Sequence, residues 1–148
     1  MKYIAYGSNM EREQMALRCP GARMIGIGYI SGYRLEFYRH ATVEKSGNKK
    51  DRVPVAVWDI DQQDELNLDC YEGFPDYYFM DYIPVCMDDG SIVTGMIYLM
   101  KEIRFLPPNR HYYDGIADAY RDLGLASQID TVLKPALERS AARKRNNE

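Results

Sequence analysis

The stretch KYIAYGSN, residues 2–9, decides how this chain begins to fold. Its apolar run from Lys2 to Tyr6 predicts a first β-strand. Gly7, Ser8 and Asn9 then make a polar turn. Backbone N–H groups at a turn that leads into a helix attract anions, and a glycine lets a ligand approach the backbone closely. The turn is therefore either a plain connection or a binding site for a carboxylate or an oxyanion.

The residues after this turn predict a short helix. It extends from Met10 to Arg18 and is stopped by Pro20 and Gly21. Ser8 and Glu11 have the spacing of a capping box, which favours a helix start at this point.

Further apolar runs predict five more strands. A turn at Ser31-Gly32 is expected to pair the first two of them, and Asp88-Asp89-Gly90 predicts a hairpin between the last two. Pro54 favours the start of a strand or an edge position. The predicted strands are residues 24–30, 33–38, 53–60, 81–87 and 92–100.

Three more helices are predicted. One covers 61–71, with Leu66 and Cys70 at helical spacing on its apolar side. Another follows Pro107-Pro108, with Asn109 as its N-cap. The last lies over 129–137, where Pro135 kinks or restarts it. This order predicts one α+β domain over 1–140, whose sheet curls into a small barrel with flanking helices, followed by a polar, frayed tail at 141–148.

The composition places the chain among ordinary globular proteins. Apolar residues make up 46% and charged residues 28%, and the net charge of -3 gives no general attraction to nucleic acid or anionic lipid. No apolar run is long enough to span a bilayer. Three cysteines form neither a CxxC pair nor a disulfide framework, which predicts a cytoplasmic protein with reduced, mostly buried thiols.

Two further features are candidates for chemistry. Glu72 lies in the segment Tyr71-Glu72-Gly73-Phe74-Pro75. If Glu72 is buried there, its pKa would rise into the range of a general acid/base. The plainer interpretation is a surface glutamate at the end of a helix. Thirteen tyrosines against four phenylalanines either pack in the core or line a cleft with phenols. The tyrosines in question are Tyr77, Tyr78, Tyr98, Tyr112 and Tyr113.

Other constellations are weaker. A Cys–His nucleophile would need Cys70 beside His40 or His111, with no local signature for the pair. Two isolated histidines and three scattered cysteines lack the spacing of zinc ligands. Gly26-Ile27-Gly28 lacks the third glycine of a dinucleotide fingerprint. The basic run at 49–52, KKDR, is either a solvated loop or the mouth of a cleft.

The order of these pieces resembles the γ-glutamylcyclotransferase-like family, which includes γ-glutamylamine cyclotransferases and the plant AIG2-like proteins. The resemblance rests on Tyr-Gly-Ser-Asn-Met at 6–10, and on Tyr-Glu-Gly-Phe-Pro at 71–75 with Tyr78 shortly after. Tyr98, the prolines at 107–108 and Tyr112 are similar to the family's later segment. The resemblance covers roughly residues 2–125.

This resemblance implies a small mixed-strand barrel with flanking helices and a reaction that cyclises a γ-glutamyl group to 5-oxoproline, releasing an amino acid or amine. Glu72 would be the catalytic carboxylate. The loop that binds the γ-glutamyl head would be Tyr6, Gly7, Ser8, Asn9 and Met10, and the tyrosines that shape the pocket would be Tyr78, Tyr98 and Tyr112. No metal or organic cofactor is implied, and the expected partner is a small γ-glutamyl molecule rather than nucleic acid or a membrane. The chain is expected to be a monomer or homodimer.

Departures from the family pattern leave the identity of the γ-glutamyl substrate undetermined. Phe79-Met80 stands where a basic residue is frequent, and Ala119 where a glycine is. Two alternatives to the cyclase remain: a relative that removes a γ-glutamyl protecting group in biosynthesis, and a binding module for γ-glutamyl or carboxylate ligands without turnover.

Overall fold

The computed structural model describes residues 1–146, which contain seven β-strands and four α-helices. The strands are β1 (Lys2–Ala5), β2 (Arg23–Ser31), β3 (Tyr33–Tyr38), β4 (His40–Lys45), β5 (Arg52–Asp59), β6 (Tyr78–Met87) and β7 (Ile92–Met100). The helices are α1 (Arg12–Arg18), α2 (Gln62–Glu72), α3 (Arg110–Asp122) and α4 (Lys134–Asn146).

Five strands close into a barrel in the order β1-β5-β2-β6-β7. Tyr3 of β1 pairs in parallel with Met96 of β7, and every other barrel pairing is antiparallel. This confirms the predicted α+β class with a mixed-strand barrel and flanking helices. Pro54 lies beyond the end of the β1–β5 ladder, which stops at Ala5 opposite Ala56, so its missing N–H costs no bond to β1.

The predicted pairing of β2 with β3 is wrong. β2 lies between β5 and β6 in the barrel, whereas β3 pairs with β4, a strand that the sequence analysis did not assign. Gly32 has φ of 81°, and its N–H donates to the carbonyl of Asp51 at 2.8 Å. The turn therefore sends β3 out of the barrel ladder instead of folding it back onto β2.

The hairpin prediction at 88–90 is confirmed. β6 and β7 pair from Tyr78 opposite Met100 to Cys86 opposite Ile92. Gly90 has φ of 87°, a left-handed conformation that glycine adopts without steric cost. This long ladder carries two of the predicted site tyrosines, Tyr78 and Tyr98, to the same end of the barrel.

Two details of the early helices differ from the predictions. Residues Ser8–Met10 form a 3-10 turn, and no side chain caps it or α1, so the capping box is absent. Helix α2 does have a capping box, between Asp61 and Asp64. It buries Asp64 and Leu68, whereas Leu66 and Cys70 are exposed, because the Asp64 carboxylate accepts from the N–H of Gly21 at 3.3 Å and so turns this face toward the protein.

The C-terminal helices follow the predicted order. Asn109 caps α3 by accepting from the N–H of Tyr112 at 2.8 Å, as predicted. A π-helical segment, Ile129–Leu133, precedes α4, which restarts at Lys134 beside Pro135. The expected tail at 141–148 is helical as far as Asn146, and 147–148 lie outside the described residues.

None of the helices within residues 1–146 combines the length and the apolar character that crossing a membrane requires. The three cysteines are free thiols in this fold. Cys19 is buried, Cys86 is half-buried and Cys70 is exposed, so the expectation of mostly buried thiols holds for one of the three.

Candidate functional site

A cavity of about 560 Å³ opens at the end of the barrel where β1 runs into its turn. Its walls come from that turn, the start of β4, the end of α2, the start of β6, the end of β7 and the first turn of α3. This volume suits a small molecule. The lining residues are Tyr3, Ile4, Tyr6, Gly7, Ser8, Asn9, His40, Ala41, Cys70, Tyr71, Glu72, Gly73, Tyr77, Tyr78, Tyr98, Met100 and Tyr112.

The structure brings eight of the nine predicted site residues into this cavity. Met10 is the exception, since its side chain is fully buried in the core. Of the other tyrosines considered, Tyr77 lies at the exposed rim and Tyr113 packs against Phe37 instead. The eight that line the cavity are Tyr6, Gly7, Ser8, Asn9, Glu72, Tyr78, Tyr98 and Tyr112.

Glu72 is the last residue of α2 and is followed by Gly73 in a left-handed conformation, with φ of 67°. A Cβ on Gly73 would lie 2.5 Å from the ring of Tyr77, so only glycine permits this sharp end to the helix. The turn leaves the Glu72 side chain half-buried in the cavity wall.

The surroundings of Glu72 change its acidity. Desolvation by the cavity walls raises the pKa of its carboxyl from 4.5 to about 7, and the positive charge of Arg18 opposes that rise. Within residues 1–146 no protein group donates a hydrogen bond to this carboxylate. A carboxyl with a pKa close to neutral can both accept and return a proton at physiological pH.

Arg18 is a cation that the sequence analysis missed. From the end of α1 its Nη1 donates to the Ser8 hydroxyl at 3.2 Å and to the side-chain oxygen of Asn9. Its guanidinium also lies over the ring of Tyr71, 3.5 Å from the centroid. Arg18 therefore ties the turn after β1 to the end of α2 and supplies the positive charge that acts on Glu72. An arginine at the end of the helix that follows a glycine turn is a common pattern, so the sequence alone does not predict that Arg18 contacts the turn.

The turn after β1 lines the cavity and contains backbone N–H groups that have no acceptor among the described residues. Its carbonyls at Gly7 and Ser8 accept from the N–H groups of Met10 and Glu11 at 3.0 and 3.1 Å. In the part of the chain that the structure describes, the N–H groups of Gly7, Ser8 and Asn9 donate to no protein oxygen. Such donors are available to an anionic oxygen of a ligand.

Side-chain contacts hold this turn in place. The Asn9 amide donates to the Tyr3 hydroxyl at 2.9 Å, and the Asn9 carbonyl accepts from the Trp58 indole at 3.1 Å. A Cβ on Gly7 would lie 3.3 Å from both the Ala41 Cβ and the Tyr112 hydroxyl. Tyr3 and Trp58 of the barrel strands therefore hold the turn in place. The missing side chain of Gly7 lets Ala41 and Tyr112 lie close to its backbone.

The predicted pocket tyrosines are neutral and mostly fixed. Burial raises the pKa of Tyr6, Tyr78 and Tyr112 above that of an ordinary phenol, and the nearby Glu72 carboxylate raises each of them further. The Tyr112 hydroxyl accepts from the N–H of Ala41 at 3.0 Å. Tyr98 donates to Asp69, and its backbone carbonyl accepts from the Tyr6 hydroxyl.

The structure gives no support to a Cys–His nucleophile or to a metal site among the described residues. His40 and Cys70 both line the cavity, but no hydrogen bond joins them among the described residues. His40 packs edge-on against Tyr112, with ring centroids 5.2 Å apart, and burial lowers its pKa. Across residues 1–146 no three His, Cys, Asp or Glu side chains cluster in a way that could hold a metal ion.

Comparisons with known proteins show the family and the fold. A family model described as gamma-glutamyl cyclotransferase, AIG2-like, matches residues 3–118. The human protein named gamma-glutamylcyclotransferase is 27% identical over 145 residues, which cover 89% of this chain and 76% of the human one. The mouse protein of the same name is 28% identical with the same coverage.

Solved structures show the same fold. A structure described as gamma-glutamyl cyclotransferase superposes with a TM-score of 0.81 at 25% identity, covering 90% of this chain and 85% of that one. A mouse AIG2-like protein superposes with a TM-score of 0.57 at 16% identity, covering 75% of this chain and 80% of that one, which is a likeness of fold alone.

Proposed function

This chain belongs to the gamma-glutamyl cyclotransferase, AIG2-like family of enzymes, and we propose that it cyclises a γ-glutamyl group to 5-oxoproline and releases an amino acid or amine. The observation that carries this proposal is the Glu72 carboxyl, half-buried and raised in pKa to about 7, which lines the same cavity as a turn whose N–H groups have no protein acceptor. A proton acceptor and an oxyanion-type donor group are the two components that such an acyl transfer requires.

The reaction is an intramolecular aminolysis. The α-amine nitrogen of the γ-glutamyl group forms a bond to its own side-chain carbonyl carbon, closing a five-membered lactam. The bond from that carbon to the leaving nitrogen breaks. The α-ammonium loses two protons in becoming the lactam N–H, and the leaving nitrogen takes up two and departs as an ammonium ion. No water is consumed. Orientation alone lowers the barrier of such ring closures, by about 7–11 kcal/mol in the best intramolecular cases.

In this proposal Glu72 moves the proton. A peptide α-amine has a pKa of about 7.7–8.0. The free α-carboxylate beside the γ-glutamyl amine raises its pKa further, so this amine is mostly charged at neutral pH. The ammonium loses its first proton to solvent before the attack. A carboxylate whose pKa is about 7 can accept the second proton, which the α-nitrogen loses as it attacks, and once protonated it can donate to the leaving nitrogen. A positioned acid/base of this kind contributes about 10²–10⁴-fold to the rate.

The turn after β1 would bind an anionic oxygen of the substrate. The N–H groups of Gly7, Ser8 and Asn9 suit either the substrate α-carboxylate or the oxyanion of the tetrahedral intermediate. Arg18 holds the side chains of Ser8 and Asn9, so it acts as a positioning residue for this turn. The neutral phenols of Tyr78 and Tyr112 would shape the wall beside Glu72 without adding charge.

The experiment is a panel of γ-glutamyl amino acids, γ-glutamyl amines and γ-glutamyl-ε-lysine, with α-glutamyl dipeptides as controls. We expect 5-oxoproline and one equivalent of amine from at least one γ-glutamyl class, and none from the α-glutamyl controls. Because five-membered ring closure needs the γ-carbonyl, that contrast reports the chemistry and not general peptidase activity. Tight binding of γ-glutamyl compounds without any 5-oxoproline would instead indicate a binding module.

A further inference from the structure

A second cavity, of about 450 Å³, lies away from the Glu72 site and shares no lining residue with it. Its walls come from β3, the loop before β5, the π-helical segment and α4. Residues 50–52 of the basic run supply one wall, so this run lies at the mouth of a cleft. The lining residues are Arg34, Leu35, Lys50, Asp51, Arg52, Gln128, Thr131, Val132 and Arg139.

The lining of this cavity is strongly cationic. Four of its side chains are basic, namely Arg34, Lys50, Arg52 and Arg139, against the single acid Asp51. The whole chain carries a net charge of -3, so positive charge is concentrated here against the overall balance. Cations that converge on a concave site attract anions more strongly than the same cations scattered on a surface.

A buried carboxylate holds two of the arginines. Glu36 is 2% exposed. It accepts from the Nε of Arg139 at 3.1 Å and from the Nε of Arg34 at 3.3 Å. Arg139 also donates through Nη2 to the Leu35 carbonyl at 2.8 Å. Both guanidiniums are thus anchored through Nε, and that of Arg139 also through Nη2.

The outer donors of this cavity are available. In the described residues, neither Nη group of Arg34 nor the Nη1 of Arg139 has a protein acceptor. Arg52 stacks on the ring of Tyr29, 4.4 Å from its centroid, and, like Lys50, it forms no ion pair within residues 1–146. Guanidiniums that are anchored on one side lose less side-chain freedom when they bind a ligand on the other.

We propose that this cavity binds a small phosphate-bearing polyanion. The basic groups reach it from three separate elements: Arg34 from β3, Lys50 and Arg52 from the loop and the start of β5, and Arg139 from α4. A tetrahedral phosphate directs oxygens toward several walls at once, whereas a planar carboxylate matches one guanidinium fork. Diphosphate is the simplest probe of this class.

The test is isothermal titration of the full chain with inorganic pyrophosphate at fixed ionic strength. We expect saturable binding of one pyrophosphate, weakened roughly tenfold or more by Lys50→Gln or Arg52→Gln, because each removes one charge-assisted contact. Lys49→Gln is the matched control, since Lys49 is an exposed neighbour that does not line the cavity. Glu72→Gln should bind pyrophosphate as the wild type does, because Glu72 lies in the other cavity.

Several results would overturn the proposal. They are no binding at millimolar pyrophosphate, an equal loss of affinity in the Lys49 control, or loss of binding in Glu72→Gln. Equally tight binding of citrate, compared at the same ionic strength, would also overturn it, because the site would then select charge and not phosphate geometry.

Discussion

Replacing Glu72 with Gln is expected to lower kcat for 5-oxoproline formation by roughly 10²–10⁴-fold. Glutamine has nearly the same shape as glutamate but cannot accept the proton of the substrate α-amine. The turn after β1 and the tyrosine walls remain in the variant, so substrate binding should change far less than kcat. The measurement is steady-state 5-oxoproline release with the best substrate from the panel.

Glu65→Gln is the matched control for this variant. Glu65 lies on the same helix, α2, two turns before Glu72, and does not line the cavity. It should keep wild-type kcat and KM, and circular dichroism should show the same fold for both variants. A Glu72→Gln protein with wild-type kcat would remove the carboxylate from the mechanism.

The same substitution is expected to stabilise the protein at alkaline pH. The folded-state pKa of Glu72 is about 7, above its ordinary value of 4.5, so folding favours the protonated form. The wild type therefore has the full contribution of this group below about pH 4.5 and loses it as pH rises through about 7. Glutamine never ionises and has no such loss.

The size of this gain follows from the pKa shift. A rise from 4.5 to about 7 corresponds to roughly 1–3 kcal/mol at pH 8, allowing for partial solvation of a half-buried group. Urea unfolding at pH 4.5, 6 and 8 should show the free energy of unfolding of Glu72→Gln rising step by step relative to the wild type. Thermal unfolding at pH 8 should give the variant a Tm several degrees higher. Glu65→Gln should show no such trend. A difference that is the same at every pH would contradict the raised pKa.

Parts of the fold could be predicted because local residues determine them. The Asp-Gly turn at 89–90 defines the β6–β7 hairpin, and Asn109 caps α3 with its own side chain. Strand β4 was not predicted. Its residues Ala41, Thr42 and Val43 are all buried in the structure. The hydroxyl of Thr42 accepts from the N–H of Met100, a contact with a residue far along the chain that a local pattern does not reveal.

The pairing of strands depends on tertiary structure in the same way. A glycine turn between two apolar runs normally indicates a hairpin, and at Gly32 that rule fails because β2 is taken up on both sides by β5 and β6. The buried face of α2 was predicted wrongly for a related reason: Asp64 is buried because its carboxylate accepts from the N–H of Gly21, a residue far from it in the chain.

The candidate site was predicted from residue identity more than from geometry. Glu72 and the turn at 7–9 were selected on a family resemblance, and the structure places them in one cavity. Glu72 and the turn come close together only when the barrel closes with β1 beside β7, and no local sequence pattern encodes that pairing. Arg18 was not predicted for a similar reason, since its contacts with Ser8 and Tyr71 exist only in the folded chain, where the end of α1 meets both the turn after β1 and the end of α2.

The central claim is that the cavity keeps the Glu72 carboxyl titrating near neutral pH, where it can accept and return a proton. The most direct test is a 13C NMR titration of glutamate side-chain carboxyls, with Glu72→Gln used to assign the one missing resonance. We predict a midpoint of about 7 for Glu72 in the wild type. A midpoint near the ordinary glutamate value of 4.5 would contradict the account, because such a carboxylate would be too weak a base for the proposed proton transfer.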